Sequence, residues 1–350
     1  MTDQRNKRAL LAHIYRILLA ALMIGAFSGA PCAAAEKGEE DAADRPLMCE
    51  VADYAASWVG RISYRLGAYE DLHEGGESDC SWFLFHVFND FGLLDEWQKS
   101  TTWGSGSVPG TVQVASIGDA QPGDVLFWEE GYNEEGVLRG HVVMYIGAMQ
   151  VVGCNGSSPT TGAVMRTAYK VPGGGREPDS IWRLKALDHG DEKLLFGLPA
   201  VTEPISGHLY VLALKEDLQK VLYVHVKKKK NSAPELRAAS FSGGQKGVFR
   251  FDDRGDGSFR LTSYFSDLVL GADGDALKLS EDSGYPSQSF RVRPGEDDSV
   301  KLVNEALLDV VAVRKEGKHL LAQLGPDGIA AEDADAASSF YLVDVTGFYE

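Results

Sequence analysis

From residue 206 to the end, short apolar segments recur in three sets, and this repetition restricts the fold more than anything else in the chain. Leu209-Tyr210-Val211-Leu212-Ala213-Leu214 leads to Val221-Leu222-Tyr223-Val224, and the first set closes near Val248-Phe249-Arg250-Phe251. Ser258-Phe259-Arg260-Leu261 leads to Leu268-Val269-Leu270-Gly271 and closes at Gln288-Ser289-Phe290-Arg291-Val292. Ser299-Val300-Lys301-Leu302-Val303 leads to Leu307-Leu308-Asp309-Val310 and closes at Ser338-Ser339-Phe340-Tyr341-Leu342. The closing Phe249, Phe290 and Phe340 lie 41 and 50 residues apart. Helical spacing is hard to find, so each set reads as four short strands. A propeller blade has a similar length, but three blades do not close a ring.

The first half reads differently. Ser78 or Asp79 is placed to cap a helix by accepting from its free backbone amides. Phe83, Leu84, Val87, Phe88 and Phe91 then recur at helical spacing and define a buried face. Cys80 lies at the core-facing end of the first turn, where the helix dipole and free amides favour a thiolate. Burial as a small hydrophobe is the commoner fate of a cysteine. About forty residues on, Pro122-Gly123-Asp124-Val125-Leu126-Phe127-Trp128 reads as a turn running into a strand. Glu129 to Gly140 is polar and glycine-punctuated, as a long hairpin loop would be. His141 stands at the entrance of a second strand, Val142 to Ile146, and Gln150-Val151-Val152 reads as a third.

These residues carry a resemblance. Asp79-Cys80-Ser81, Gln121-Pro122-Gly123-Asp124-Val125-Leu126-Phe127 and His141-Val142-Val143-Met144-Tyr145-Ile146-Gly147 resemble the NlpC-like cell-wall peptidases, over roughly residues 48 to 185. The resemblance implies an α+β papain-like N-terminal domain, with a helix and a small antiparallel sheet. It also implies Cys80 as nucleophile, His141 as base and a peptide of the peptidoglycan stem as substrate. Ile62-Ser63-Tyr64-Arg65-Leu66-Gly67 fits the place of the family's tyrosine. Tyr64, Ser81 and Trp82 are then the implied substrate contacts. The imidazole-orienting residue falls on Gly153 in an ungapped alignment. Asn155, two residues on and on the same side of a continuous strand, is the expected substitute, although Asn-Gly is more often a turn. Trp82 departs from the family's glycine and either narrows the cleft or forms one wall.

The second half resembles an all-β C-terminal β-trefoil, similar to ricin-type lectin or fascin-like modules. Gln288-Ser289-Phe290 matches the lectin Gln-x-aromatic step and Asp309 its Leu-Asp-Val step, but no repeat shows a complete carbohydrate pocket. Carbohydrate at the trefoil is therefore an expected partner without named binding residues.

The chain ends set the compartment. Arg5, Lys7, Arg8 and Arg16 precede the apolar run Ile17 to Phe27, and small residues follow up to Ala35, which describes a secretory signal peptide. The expected organisation is signal peptide 1–35, disordered linker 36–45, peptidase domain 46–187, linker 188–205 and trefoil 206–350, in an exported protein. No other segment is apolar enough to span a bilayer. The chain has a formal charge of −17. Loss of residues 1–35, with four basic and one acidic side chain, makes it −20. So acidic a chain argues against nucleic-acid binding. Lys227-Lys228-Lys229-Lys230 reads as a solvated loop. Cys49, Cys80 and Cys154 remain; with Cys80 as nucleophile, Cys49–Cys154 is the internal bridge compatible with activity. No Cys or His spacing suggests a zinc site, and no metal or cofactor is expected.

Three functions fit this reading. One is an exported cysteine peptidase acting on peptidoglycan stem peptides. Another is a non-catalytic wall- or sugar-binding protein on a decayed peptidase fold. The last is an amidase or acyltransferase using the same Cys-His pair on another substrate.

Overall fold

A computed structural model describes residues 46–132, 138–158, 161–188, 194–226, 234–316, 319–325 and 339–349. The signal peptide, the 36–45 linker and the Lys227–Lys230 run lie outside the described residues. The chain divides into two compact units, Met1–Glu192 and Lys193–Glu350. No described helix is long and apolar enough to cross a membrane.

The first unit contains helices α1 (Leu47–Ser57), α2 (Cys80–Asp90) and α3 (Ser100–Gly104). Its strands are β1 (Ser63–Tyr64), β2 (Glu77–Ser78), β3 (Thr111–Gln113), β4 (Val125–Tyr132), β5 (Leu138–Gly147), β6 (Gln150–Ser158), β7 (Thr161–Ala168) and β8 (Ser180–Leu184). They form one eight-stranded sheet in the order β2-β1-β7-β6-β5-β4-β8-β3. This corrects the α+β papain-like domain expected for this half: the chain is mostly β, and no papain-like α+β domain is evident. The physical reason lies in the signals used. An 11-residue amphipathic helix announces itself by its 3.6 period, whereas strands of two or three residues such as β1, β2 and β3 are too short to show alternation. The polar stretch after Trp128 also continues as strand to Tyr132, and β5 begins at Leu138, before His141.

Alternation is hidden further because the middle of this sheet is covered on both sides. Val142, Val143, Met144, Tyr145 and Ile146 are all fully buried, as are Val151 and Val152. Such strands read as continuous apolar runs. The α2 residues Phe83, Leu84, Val87 and Phe88 are likewise 0 % exposed. The turn entering β4 is pinned by a buried ion pair. Arg183 of β8 donates from Nε to Asp124 Oδ1 at 2.8 Å and from Nη2 to Oδ2 at 2.9 Å. The same carboxylate accepts from the Gln121 amide at 2.8 Å, closing the turn on itself. Burial pushes the Asp124 carboxyl above its usual range despite these bonds.

The second unit opens with the short β9 (Ala200–Val201), which pairs with the last strand. The first repeat is β10 (Leu209–Leu214), β11 (Lys220–His225), β12 (Glu235–Ser240) and β13 (Val248–Asp253). The second is β14 (Phe259–Ser263), β15 (Val269–Asp273), β16 (Ala276–Ser280) and β17 (Phe290–Pro294). The third is β18 (Val300–Asn304), β19 (Val310–Glu316), β20 (His319–Gly325) and β21 (Phe340–Asp344), followed by α4 (Thr346–Tyr349). The first and last strands of the repeats pair in a ring: β10 with β13, β13 with β14, β14 with β17, β17 with β18, β18 with β21, and β21 with β10. The middle strands form the hairpins β11–β12, β15–β16 and β19–β20. The second strands of those hairpins pair with one another, β12 with β16 and β20, and β16 with β20. A closed six-stranded barrel capped by a triangle of three hairpins is a β-trefoil. Closure removes the unpaired edges that a twelve-strand open sheet would expose. Phe249, Phe290 and Phe340 are each 0 % exposed and share one core with Tyr210, Phe251 and Leu302.

Breaking the Asp124–Arg183 pair leaves a buried carboxylate without its partner. Arg183→Ala is expected to destabilise the first unit by about 3 kcal/mol or more, read as a lower urea midpoint of that unit's transition with the trefoil transition unmoved.

Candidate functional site

Cys80 is the first residue of α2, and Asp79 is its cap. Asp79 Oδ1 accepts from the Ser81 amide at 3.0 Å, the Trp82 amide at 2.8 Å and the Ser81 hydroxyl at 3.0 Å. Its Oδ2 accepts from the Gly67 amide at 3.3 Å, tying the preceding loop to the helix start. Cys80 is 7 % exposed. The backbone amides of Val142 and Ser81 face the sulfur and favour its thiolate. The thiol therefore sits against β5 one residue beyond His141. Burial, followed by the Asp79 charge, pushes the thiol up to about 12, and Glu130 adds to this, while the two amides pull the other way.

His141 stands opposite Trp128 in the β4–β5 register. Its Nε2 lies 2.6 Å from Asn155 Oδ1 on the neighbouring β6. Asn155 Nδ2 donates to the Gly153 carbonyl at 3.1 Å, which identifies Oδ1 as the atom facing the ring. An amide oxygen only accepts, so Nε2 carries the proton and Nδ1 is left as the basic nitrogen. Burial lowers the His141 pKa below its usual value, against the opposing effects of the Asn155 bond and the charges of Glu130 and Asp79. With the thiol raised and the imidazole lowered, both are neutral near pH 7.

Small residues make room for this arrangement. A Cβ on Gly153 would fall 2.5 Å from Val143 Cγ1, so the position of the ungapped alignment carries no side chain at all. A Cβ on Gly156 would fall 2.2 Å from the Tyr64 ring. The tyrosine thus lies flat against β6 one residue past Asn155. Its phenol is raised by burial first and then by the charges of Cys80, Asp79 and Glu130, which places it among the same groups.

Ser81 and Trp82 are committed elsewhere. The Ser81 hydroxyl also accepts from Trp97 Nε1 at 3.1 Å. Trp82 Nε1 donates to the Glu70 carbonyl at 2.8 Å, and its ring packs edge-on against Tyr69 and Trp97 at 5.1 and 5.8 Å. The structure thus gathers Cys80, His141, Asn155 and Tyr64, and ties Ser81 and Trp82 into an adjoining aromatic cluster. Cys154 is a free thiol that donates to the Ser78 carbonyl at 3.2 Å, so no Cys49–Cys154 bridge forms. Two contributors were not singled out from sequence, the Val142 amide and Glu130. A backbone donor leaves no mark on composition, and one glutamate in a polar stretch has no pattern.

In the trefoil unit, the lectin-like steps have structural partners. Gln288 Oε1 accepts from the Ser283 amide and hydroxyl, each at 2.7 Å. Its Nε2 donates to the Ser280 hydroxyl at 3.0 Å and the Glu281 carbonyl at 2.8 Å. The Asp309 carbonyl accepts from the Asn304 amide at 2.9 Å, within the turn joining β18 to β19. Among the described residues, no group of three or more His, Cys, Asp or Glu side chains is arranged to hold a metal ion.

No family model and no curated protein matches the chain. Solved structures do. The chain is similar to the Haemophilus ducreyi cytolethal distending toxin, at 15 % identity over 39 % of this chain and 83 % of that one, with a TM-score of 0.33. It is similar to a Macrolepiota procera ricin B-like lectin in complex with lactose, at 13 % identity over 41 % and 99 %, with a TM-score of 0.32. It is also similar to the β-trefoil named BEL, at 16 % identity over 42 % and 99 %, with a TM-score of 0.33.

The lowered His141, and His86 lowered mainly by burial, make the folded first unit lose stability in acid. A histidine whose folded pKa is depressed contributes stability that is present above its unfolded value of about 6.5 and is lost as pH falls below it. Melting of the first unit is expected at lower temperature at pH 5 than at pH 7.5. His141→Gln is expected to shrink that difference, by up to about 1.4 kcal/mol per pH unit.

Proposed function

We propose that this protein is a thiol hydrolase that cuts amide bonds, with Cys80 as nucleophile, His141 as base and Asn155 as the residue that orients the imidazole. The observation that carries this reading is the 2.6 Å contact between His141 Nε2 and Asn155 Oδ1, which leaves Nδ1 unprotonated on the strand whose Val142 amide favours the Cys80 thiolate. A thiol raised to about 12 does not rest as thiolate at neutral pH. Its proton passes to His141 Nδ1 as the sulfur attacks the carbonyl carbon, rather than beforehand. The imidazolium then gives that proton to the leaving amine, and the acyl group remains on sulfur as a thioester. Water, deprotonated by the neutral imidazole, adds to the thioester and releases the acid and the thiol. The Cys80 amide, at the first position of α2 with no carbonyl four residues back inside the helix, is the proposed oxyanion donor. Peptidoglycan stem peptides are the first substrate class to try.

A second reading is carbohydrate binding through the trefoil, with the first unit inactive. The burial of Cys80 and the elevation of its thiol favour it, because both oppose a standing nucleophile.

Digestion of purified peptidoglycan by wild-type protein and Cys80→Ala separates the two. The hydrolase reading expects new amino groups and soluble peptides from the wild type alone. Release by neither protein, with both sedimenting with the wall, would leave the binding reading. On any substrate that is cut, Asn155→Ala is expected to lower kcat about a hundredfold, with the protein still folded at the assay temperature.

A further inference from the structure

The β4–β5 hairpin carries an irregularity two residues from the Trp128–His141 pair. Its register runs Trp128↔His141 and Glu129↔Gly140, then jumps to Gly131↔Arg139, so Glu130 is the extra residue of a β-bulge. Gly131 follows with φ of 83°, a backbone conformation that costs glycine little and other residues more. The bulge is clamped from the loop before β8. Arg176 Nη2 donates to the Glu129 carbonyl at 3.2 Å, and Asp179 Oδ2 accepts from the Glu129 amide at 2.7 Å. Trp128 Nε1 also donates to the Arg176 carbonyl at 3.4 Å. The two residues before the bulge are therefore held, while Glu130 is itself exposed. Bulges beside functional sites commonly re-aim a side chain. Here the bulge residue carries a charge that acts on Cys80, His141 and Tyr64 alike.

We propose that Glu130 is a specificity-determining residue that selects substrates carrying a protonated amine close to the scissile amide. The inference rests on the hydrolase reading of Cys80 and His141. It follows from the charges around the thiol. Asp79 is spent on four hydrogen bonds within the chain. Glu130 stands at the solvent side of the same groups and is free to meet a ligand cation. A carboxylate there attracts an ammonium group and repels a substrate carboxylate, and a site of low dielectric strengthens both effects.

The test needs no knowledge of the substrate. Full-length exported protein is treated with two thiol reagents of similar size, cationic 2-(trimethylammonium)ethyl methanethiosulfonate and anionic 2-sulfonatoethyl methanethiosulfonate. In each, the Cys80 thiolate attacks the sulfenyl sulfur and displaces methanesulfinate, leaving a mixed disulfide located by peptide mass mapping. Wild-type Cys80 is expected to react faster with the cation. Glu130→Gln is expected to lower the cation-to-anion rate ratio about tenfold, and salt is expected to erode the wild-type preference. Glu130→Lys is expected to reverse it. An unchanged ratio in Glu130→Gln with Cys80 still reactive overturns the inference and leaves the nucleophile standing. A Cys80 inert to both reagents even at alkaline pH removes the hydrolase reading, and the inference with it.

Discussion

The Asp79 carboxylate accepts from the Gly67 amide, the Ser81 amide and hydroxyl, and the Trp82 amide, and the geometry of the first unit's site depends on that one group. It ends the extended segment from β2, starts α2, and ties the loop after β1 to the helix. These bonds place Cys80 at the first position of α2. The same charge works against the thiol it positions, since it is the largest cause after burial of the rise to about 12. A capping serine would hold the helix with less penalty to the thiolate, but could not reach all four donors.

That conflict decides how the site can act. A cysteine at a helix start beside a histidine would ordinarily be drawn toward thiolate and imidazolium. Here burial of both groups outweighs the favourable amides, and the resting pair is neutral. The Asn155 bond matters more in such a site, because it fixes which imidazole nitrogen is basic. The exposed Glu130 adds a negative charge that favours the protonated form of His141.

The trefoil unit rests on a different constraint, the closure of its ring. β21 must return to β10 along five paired positions, Tyr210↔Asp344 through Leu214↔Phe340. This joins residues more than a hundred positions apart. The repeats supply the strands, while the buried Gln288 and Asn304 hold the turns between them through bonds to Ser280, Ser283, Ser287 and Ser289. Gln288 looks like a recognition step in a string of letters. In three dimensions its hydrogen-bonding capacity is met by the chain itself.

The threefold organisation was readable because each repeat brings its own apolar strands and a closing phenylalanine, a pattern that survives large differences in the intervening loops. Helix α2 was readable because Phe83, Leu84, Val87 and Phe88 share one face at its period. The class of the first unit was not. Its sheet is assembled from distant two- and three-residue strands and from central strands buried on both sides, neither of which shows alternation. Whether Asn155 is a turn residue or a strand residue facing His141 was also undecided by its neighbours, since Asn-Gly suits both. Local sequence determined α2, the apolar strands of the three repeats and which residues carry reactive groups. Only the tertiary structure decided the sheet that brings Cys80, His141 and Asn155 together, the burial that leaves them neutral, and the bulge that sets Glu130 beside them. Those depend on pairings between residues far apart in the chain, and on the water that such pairings exclude.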